Sequence, residues 1–281
     1  MAKIVQVNVV SNSKSTGKIA EGIGSAIVNY GWESYIASGR RNSAVSENSH
    51  QIFIGNDLDY KIHAIGTRLF DGHGLFSRTA TLDFIKTLEE IGPDIIHLHN
   101  IHGYYINISV LVKFLLRRNV PVIWTFHDCW PFTGHCTYYT VANCDKWKSK
   151  CTQCPETNHY PKSLVDFSTR NFKLKKKLFQ NIKNLTICTP SRWLAGEVEK
   201  SFLRDKRVTV INNGIDLDVF KPVLIADKNN IGKKKIIIGV ASIWEERKGL
   251  NDFISLNEII DKEKFQIVVV GVSEMQKKKL P

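Results

Sequence analysis

Four groups of side chains in this sequence have the types and spacing to do chemistry. Thr125-Phe126-His127-Asp128 closes Val120–Phe126, the most apolar stretch of the first half. A histidine beside an aspartate at a strand end can exchange hydrogen bonds with a reacting group, and open parallel sheets bind ligands beyond the carboxyl ends of their strands. Ile96-His97-Leu98-His99-Asn100-Ile101-His102-Gly103 ends the preceding strand in the same way. His97 and His99 alternate with apolar residues and so share a face. His97 reads better as a hydrogen-bonded core histidine, and His127 as the functional one.

The second group is Cys136-x7-Cys144-x6-Cys151-x2-Cys154, with Cys129, His127 and His135 nearby. Four thiols ending in a CxxC knuckle fit a closed tetrahedral Zn²⁺ site. A metal would also order Pro131–Pro161, which has little periodic pattern of its own. Unligated thiols in a polar loop are the competing reading, since only one of the spacings is a standard knuckle. Cys129 and Cys188 are expected to stand outside the site, and a catalytic zinc is not expected.

The third group is the turn Ser11-Asn12-Ser13-Lys14-Ser15-Thr16-Gly17-Lys18, which feeds a helix. Exposed amides at a helix N-terminus suit a phosphate or a sugar hydroxyl. The spacing is neither GxxxxGK[ST] nor GxGxxG, and an ordinary strand-to-helix loop is the alternative. The fourth is Glu245-Glu246-Arg247-Lys248-Gly249, where adjacent cations suit a diphosphate and a solvated charged loop is the alternative.

The elements that must position these groups alternate along the chain. Strands are expected at Ile4–Val10, Glu33–Ser38, Gln51–Ile54, Asp94–His99, Val120–Phe126, Leu185–Thr189 and Val208–Ile211. Helices are expected at Lys18–Tyr30, Leu82–Ile91, Asn107–Arg118, Leu164–Ile182 and Ser191–Phe202. Such alternation implies a largely parallel sheet covered on both faces. After a connector rich in Asn, Asp, Gly and Pro, the pattern restarts with Lys234–Val240, Asn251–Ile260 and Phe265–Gly271. Two strands and one helix cannot bury a sheet, so a truncated second domain is expected, with an appendage on the first domain as the alternative.

Composition narrows the classes. The chain has 281 residues, 43% hydrophobic and 10% aromatic, enough for packed cores and unlike a disordered chain. Its longest apolar runs, such as Val120–Trp124 and Ile267–Gly271, are far short of the ~20 residues of a spanning helix. The start enters a strand pattern with no leader, so a cytoplasmic protein is expected and disulfides are not. Lys and Arg total 39 against 27 Asp and Glu, and the resulting +12 points to anionic partners. Nucleic acid is not expected among them, since no dense basic and aromatic platform is present.

The order and spacing of five motifs carry a resemblance. Asp94-Ile95-Ile96-His97-Leu98-His99, Thr125-Phe126-His127-Asp128, Thr189-Pro190-Ser191-Arg192-Trp193-Leu194, Val210-Ile211-Asn212-Asn213-Gly214-Ile215-Asp216 and Arg247-Lys248-Gly249-Leu250 resemble those of the retaining glycosyltransferases of family 4. The likeness runs from residue 3 to about 275. With the cysteine insertion, the chain is similar to bacterial enzymes of capsule, exopolysaccharide and colanic-acid-type synthesis. The resemblance implies an α/β, GT-B-like fold: an N-terminal Rossmann-like parallel-sheet domain plus the start of a second. Residues 1–211 would be the acceptor-side domain with a Cys-rich insertion at 129–161, 212–232 the linker, and 233–281 an incomplete donor domain. His127 would contact the transferred sugar at the reacting carbon. Gly17 would approach the donor diphosphate or the acceptor, Arg247 and Lys248 would serve the donor diphosphate, and His99 and Asn100 the acceptor. No catalytic divalent metal is implied.

Two departures stand out. Ser242 occupies the place of an Arg usual in the family, and paired donor-site glutamates would lie beyond residue 281, so the chain as it stands is expected to be inactive. The reading is therefore transfer of a sugar from a nucleotide-sugar to a glycan or lipid-linked acceptor of bacterial surface polysaccharide. The alternative is a zinc-stabilised, non-enzymatic glycan-binding module. A lipid-linked acceptor places the work at the inner membrane face. The segment Phe172–Lys183, with Lys173, Lys175, Lys176, Lys177 and Lys183 beside a Leu174, Leu178, Ile182 stripe, is a candidate for peripheral contact with anionic lipid. Its competing reading is a core stripe with solvated lysines.

Overall fold

Short β-branched runs fold as β1 (Lys3–Asn8), β2 (Glu33–Ser38), β3 (His50–Phe53), β4 (Ile95–Leu98), β5 (Val122–Thr125), β6 (Leu185–Thr189) and β7 (Arg207–Val210). They pair in the order β3-β2-β1-β4-β5-β6-β7, every pairing parallel. The α/β class expected from the alternation is the fold observed. The computed structural model describes residues 1–41, 44–222, 234–278 and 280. The chain divides into two compact units, Met1–Asp216 and Leu217–Pro281.

In the first unit, α1 (Lys14–Asn29), α2 (Asp57–Phe70), α3 (Arg78–Ile91), α4 (Ile108–Arg118), α5 (Ser168–Gln180) and α6 (Arg192–Glu199) connect the strands. Val5, Val7, Ile36, Ile96, Leu98, Val122, Trp124 and Ile187 are buried, as a sheet covered on both faces requires. From β1 the chain steps outward to β2 and β3, then returns to β4 on the other side of β1. The loops after β1 and β4 therefore diverge, and this switch in strand order opens a crevice at the carboxyl end of the sheet.

Two elements differ from the expectation. Helix α2 is absent from the sequence reading. It is closed by a capping box in which Asn56 Oδ1 accepts from Asp59 N and Asp59 Oδ2 accepts from Asn56 N, both at 3.0 Å. Helix α5 begins at Ser168 rather than Leu164, because the preceding residues are bound elsewhere: Leu164 N–H donates to Arg68 O at 2.8 Å and Phe167 N–H to Asp71 Oδ2 at 2.8 Å.

Lys175 is also relocated. The expected solvated or lipid-facing lysine is buried, and the inward face of the segment is Phe172, Lys175, Phe179 and Ile182. Leu174 and Leu178 are only half-buried. Lys175 Nζ donates to Trp130 O at 2.8 Å and Thr133 O at 3.1 Å, carbonyls of the cysteine-bearing excursion that have no strand to bind. Burial pushes its pKa down to about 7.

In the second unit, β8 (Lys235–Val240) and β9 (Phe265–Val270) pair in parallel, joined through α7 (Leu250–Ile259), and α8 (Glu274–Lys277) follows. Trp244 is buried there, edge-on to Phe253 with ring centres 5.6 Å apart. Of the expected linker at 212–232, residues 223–232 lie outside the described residues. No helix among the described residues is long and apolar enough to cross a membrane.

Candidate functional site

Three histidines and a glutamine line up across the carboxyl ends of β1, β4 and β5. Gln6, inside β1, donates through Nε2 to Ala20 O at 2.9 Å, which turns its Oε1 toward His99 Nε2 at 3.1 Å. An amide oxygen only accepts, so His99 carries its proton on Nε2. Burial pushes the His99 pKa well below the ordinary value, so the ring is neutral and its Nδ1 accepts. The partner at 3.0 Å is His127 Nε2, which must therefore be the N–H donor. His127 is neutral as well, held down to about 4 by burial. Its Nδ1 is left as a hydrogen-bond acceptor on a half-buried ring at the rim of the sheet. Such a nitrogen can receive a hydroxyl proton in a hydrogen bond and cannot act as a cation near neutral pH.

The rings are stacked, His97 on His99 with centres 4.2 Å apart and His99 on His127 at 5.3 Å. His97 is buried, 2.8 Å from Thr125 Oγ1 through Nε2. Asn100 sits half-buried next to His99, its amide donating to Asn8 Oδ1 at 3.4 Å and its carbonyl accepting from Tyr105 Oη at 2.8 Å. Gly17 lies in the first turns of α1, against the turn after β1. A Cβ there would meet Val10 Cγ2 at 3.1 Å and Asn12 N at 3.2 Å, so glycine permits that approach. Thus Gly17, His99, Asn100 and His127 all follow the carboxyl ends of β1, β4 and β5.

A second constellation at the same end is missed by the sequence reading. His102 Nε2 lies 2.9 Å from Asp128 Oδ2, and Asp128 Oδ1 accepts from Trp130 N at 2.9 Å. Burial pushes the Asp128 carboxyl up, but His102 beside it holds it below the usual carboxylate range. His73 Nε2 accepts from Gly103 N at 3.0 Å and lies 3.3 Å from Tyr160 Oη. The available signal was His102 itself, third in the run that ends β4.

In the second unit, Glu246–Lys248 forms a 3-10 turn that ends on Gly249, whose φ of +73° suits a residue without a Cβ. Arg247 Nε donates to Glu245 Oε2 at 2.9 Å. Part of the charge available for a diphosphate is thus engaged locally, and Lys248 makes no ion pair among the described residues.

Cys136, Cys144, Cys151 and Cys154 line one pocket together with His135 and Trp147. The expected zinc is not supported by their placement: among the described residues no group of three or more His, Cys, Asp or Glu is positioned to hold a metal ion. Three of the sulfurs have hydrogen-bond partners of their own. Cys136 hydrogen-bonds to Cys154, which draws the Cys154 thiol down to about 7, and Cys151 Sγ accepts from Gly134 N at 3.2 Å. His135 Nδ1 lies 2.5 Å from Asp71 Oδ1, while its buried Nε2 has no hydrogen-bond partner among the described residues.

Residues 21–219 match the family model described as Glycosyltransferase Family 4. Over 158 residues, 52% of this chain, the sequence is 31% identical to the colanic acid biosynthesis glycosyl transferase WcaC of Escherichia coli K12, covering 38% of that protein. Sucrose-phosphate synthase of Thermosynechococcus elongatus superposes with a TM-score of 0.63 at 14% identity, over 98% of this chain and 64% of that one. Anabaena Alr3699/HepE, solved in complex with UDP and glucose, superposes with a TM-score of 0.56 at 12% identity, over 99% and 63%. The chain thus spans less than two thirds of the length of each, and the two structures establish a shared GT-B glycosyltransferase fold.

Proposed function

The chain belongs to glycosyltransferase family 4, and from that premise we propose that it serves transfer of a sugar from a nucleotide-sugar to a glycan or lipid-linked acceptor in bacterial surface polysaccharide synthesis. The observation that carries this reading is the neutral His127 at the carboxyl end of the sheet, its Nδ1 free to accept from a sugar hydroxyl near the reacting carbon. The colanic acid relative supports the polysaccharide context, and the UDP and glucose bound to the Anabaena protein support a nucleotide-sugar donor. In this reading Gly17, Arg247 and Lys248 serve the donor diphosphate, where cations offset charge developing on the leaving group. Asn100 serves the acceptor directly, and His99, with both ring nitrogens engaged, serves it through its hold on His127. Transfer is retaining, needs no divalent metal, and takes place at the cytoplasmic face of the inner membrane. Residues 1–211 would form the acceptor-side domain and 233–281 part of the donor-side one.

The test is to incubate the purified full-length gene product with a panel of nucleotide-sugars and lipid-linked glycan acceptors and to identify products by mass spectrometry. Sugar transfer that falls sharply in His127→Ala supports the assignment. Saturable glycan binding with no turnover by the full-length gene product would replace it with a binding module.

Structural zinc is a separate proposal. It is motivated by the four thiols and His135 that line one pocket, and binding would require them to move from their present placement and the sulfurs to exchange hydrogen bonds for the metal.

A further inference from the structure

Helix α2 is inside out. Its buried residues are His63, Gly66 and Thr67, whereas Leu58, Ile62, Ile65 and Leu69 are exposed by 65, 54, 60 and 44%. Those four recur at i, i+4, i+7 and i+11, which at 100° per residue confines them to one narrow stripe. The inward face is anchored without them through His63: its Nδ1 lies 2.8 Å from Ser77 Oγ, and Gly74 N–H donates to its Nε2 at 3.1 Å. Helix rotation to bury the stripe would break both contacts.

The stripe continues onto a neighbouring segment. Leu164 N–H and Ser163 Oγ both reach Arg68 O, fixing Ser163–Phe167 along the C-terminal end of α2. Phe70, Leu164, Val165 and Phe167 are exposed there too. Arg170 binds this junction, donating to Phe70 O at 3.0 Å with its guanidinium 4.5 Å from the Phe167 ring centre. Lys61, Arg68, Lys162 and Arg170 are exposed around the patch, and none is paired with a carboxylate among the described residues. The nearby acids are committed or terminal: Asp59 caps the helix, Asp166 accepts from Cys154 N and Ser168 N, and Asp57 lies in the first turn.

We infer that this patch is a docking surface for an anionic lipid bilayer. A helix stripe of long aliphatic side chains suits shallow insertion at the headgroup boundary, and the Lys61, Arg68 and Lys162 cations at its rim complement lipid phosphates. The net charge of +12 agrees in sign. This surface replaces the segment around Lys175 as the site of lipid contact, and it deepens the lipid-linked acceptor of the proposed function by giving the bilayer itself a site. Vesicle binding is read without any transfer reaction, so failure of one leaves the other standing.

The test is co-sedimentation of the purified chain with phosphatidylcholine vesicles with and without phosphatidylglycerol, at low and high salt. Binding is expected only to the anionic vesicles and should weaken steeply with salt. Ile62→Glu/Ile65→Glu should lose about tenfold or more in apparent affinity, as should Lys61→Gln/Arg68→Gln/Lys162→Gln, with thermal melts like the parent's. Lys176→Gln/Lys177→Gln on α5 should bind like the parent. Equal sedimentation of Ile62→Glu/Ile65→Glu and parent overturns the inference. So does a self-associated chain that fails to bind vesicles and becomes monomeric in that variant, since a second copy would then cover the patch.

Discussion

The ammonium of Lys175 lies 3.5 Å from the centre of the Trp130 ring and donates to the carbonyl of that same residue, 45 positions earlier in the chain. One side chain thus ties helix α5 to the start of the cysteine-bearing excursion. Lys175→Ala would leave the carbonyls of Trp130 and Thr133 buried without a donor and open a void. We expect a loss of about 3 kcal/mol, or roughly 6–12 °C in melting temperature. Lys176→Ala, at an exposed neighbouring position, should stay within about 0.5 kcal/mol of the parent. Differential scanning calorimetry separates the two.

At His127, replacement by Ala should cut turnover of the active enzyme by about 10²-fold while leaving the melting temperature nearly unchanged. His99→Ala removes the acceptor that fixes the His127 tautomer, and should lower turnover less, with the greater change in kcat than in KM. Because His127 is already neutral, with a pKa of about 4, the rate profile should show no break near 6.5 from this residue. Steady-state kinetics between pH 5 and 8 provide the check.

Stability should fall in mild acid. Burial lowers His97 from 6.5 to about 4, so between those values the unfolded chain takes up a proton that the folded one refuses. The contribution is whole above pH 6.5, declines as pH falls, and is lost below about 4. It amounts to about 3 kcal/mol at about 1.4 kcal/mol per pH unit. His127 adds in the same direction over the same window. Guanidinium titrations at pH 7 and pH 5 should show this decline, and His97→Gln, which cannot titrate, should flatten it by about one proton.

Gly134 is a packing hinge of the excursion. A Cβ there would sit 2.3 Å from the backbone oxygen of Ser168 and 2.7 Å from Cys151 Cβ. Gly134→Ala should therefore destabilise by about 1–3 kcal/mol as an overpacking change and lift the excursion from α5. Faster proteolysis between Thr137 and Pro161 than in the parent would register this.

For the zinc proposal the check is elemental analysis together with melting in the presence and absence of chelator. About one zinc per chain and a chelator-induced fall in melting temperature are expected. A metal-free chain indifferent to chelator removes the proposal.

The strands are the most legible part of the sequence. Glu33–Ser38 and Leu185–Thr189 agree residue for residue, because a buried parallel strand is a short β-branched run whatever surrounds it. The strand-end positions of His99 and His127 follow from the same pattern, but their proton order does not, since it depends on Gln6 reaching across from β1. Helix α2 escapes a reading that looks for core-facing stripes, because its core-facing residues are His63 and Thr67. Lys175 escapes for the converse reason: its burial is set by stranded carbonyls in a loop with no periodicity to read.

Asp71 gives the molecule an order in time. From the end of α2 its side chain holds His135 and Phe167 N–H, 64 and 96 positions onward, and its carbonyl accepts from Asn171, 100 positions onward. None of these bonds can form until more than half the first unit is assembled, and contacts so distant in sequence are reached slowly. The excursion and the start of α5 should therefore be the last part of that unit to acquire protection against hydrogen exchange. A ribosome that has finished β5 would still be holding a chain whose Asp71 waits, uncovered, for partners not yet made.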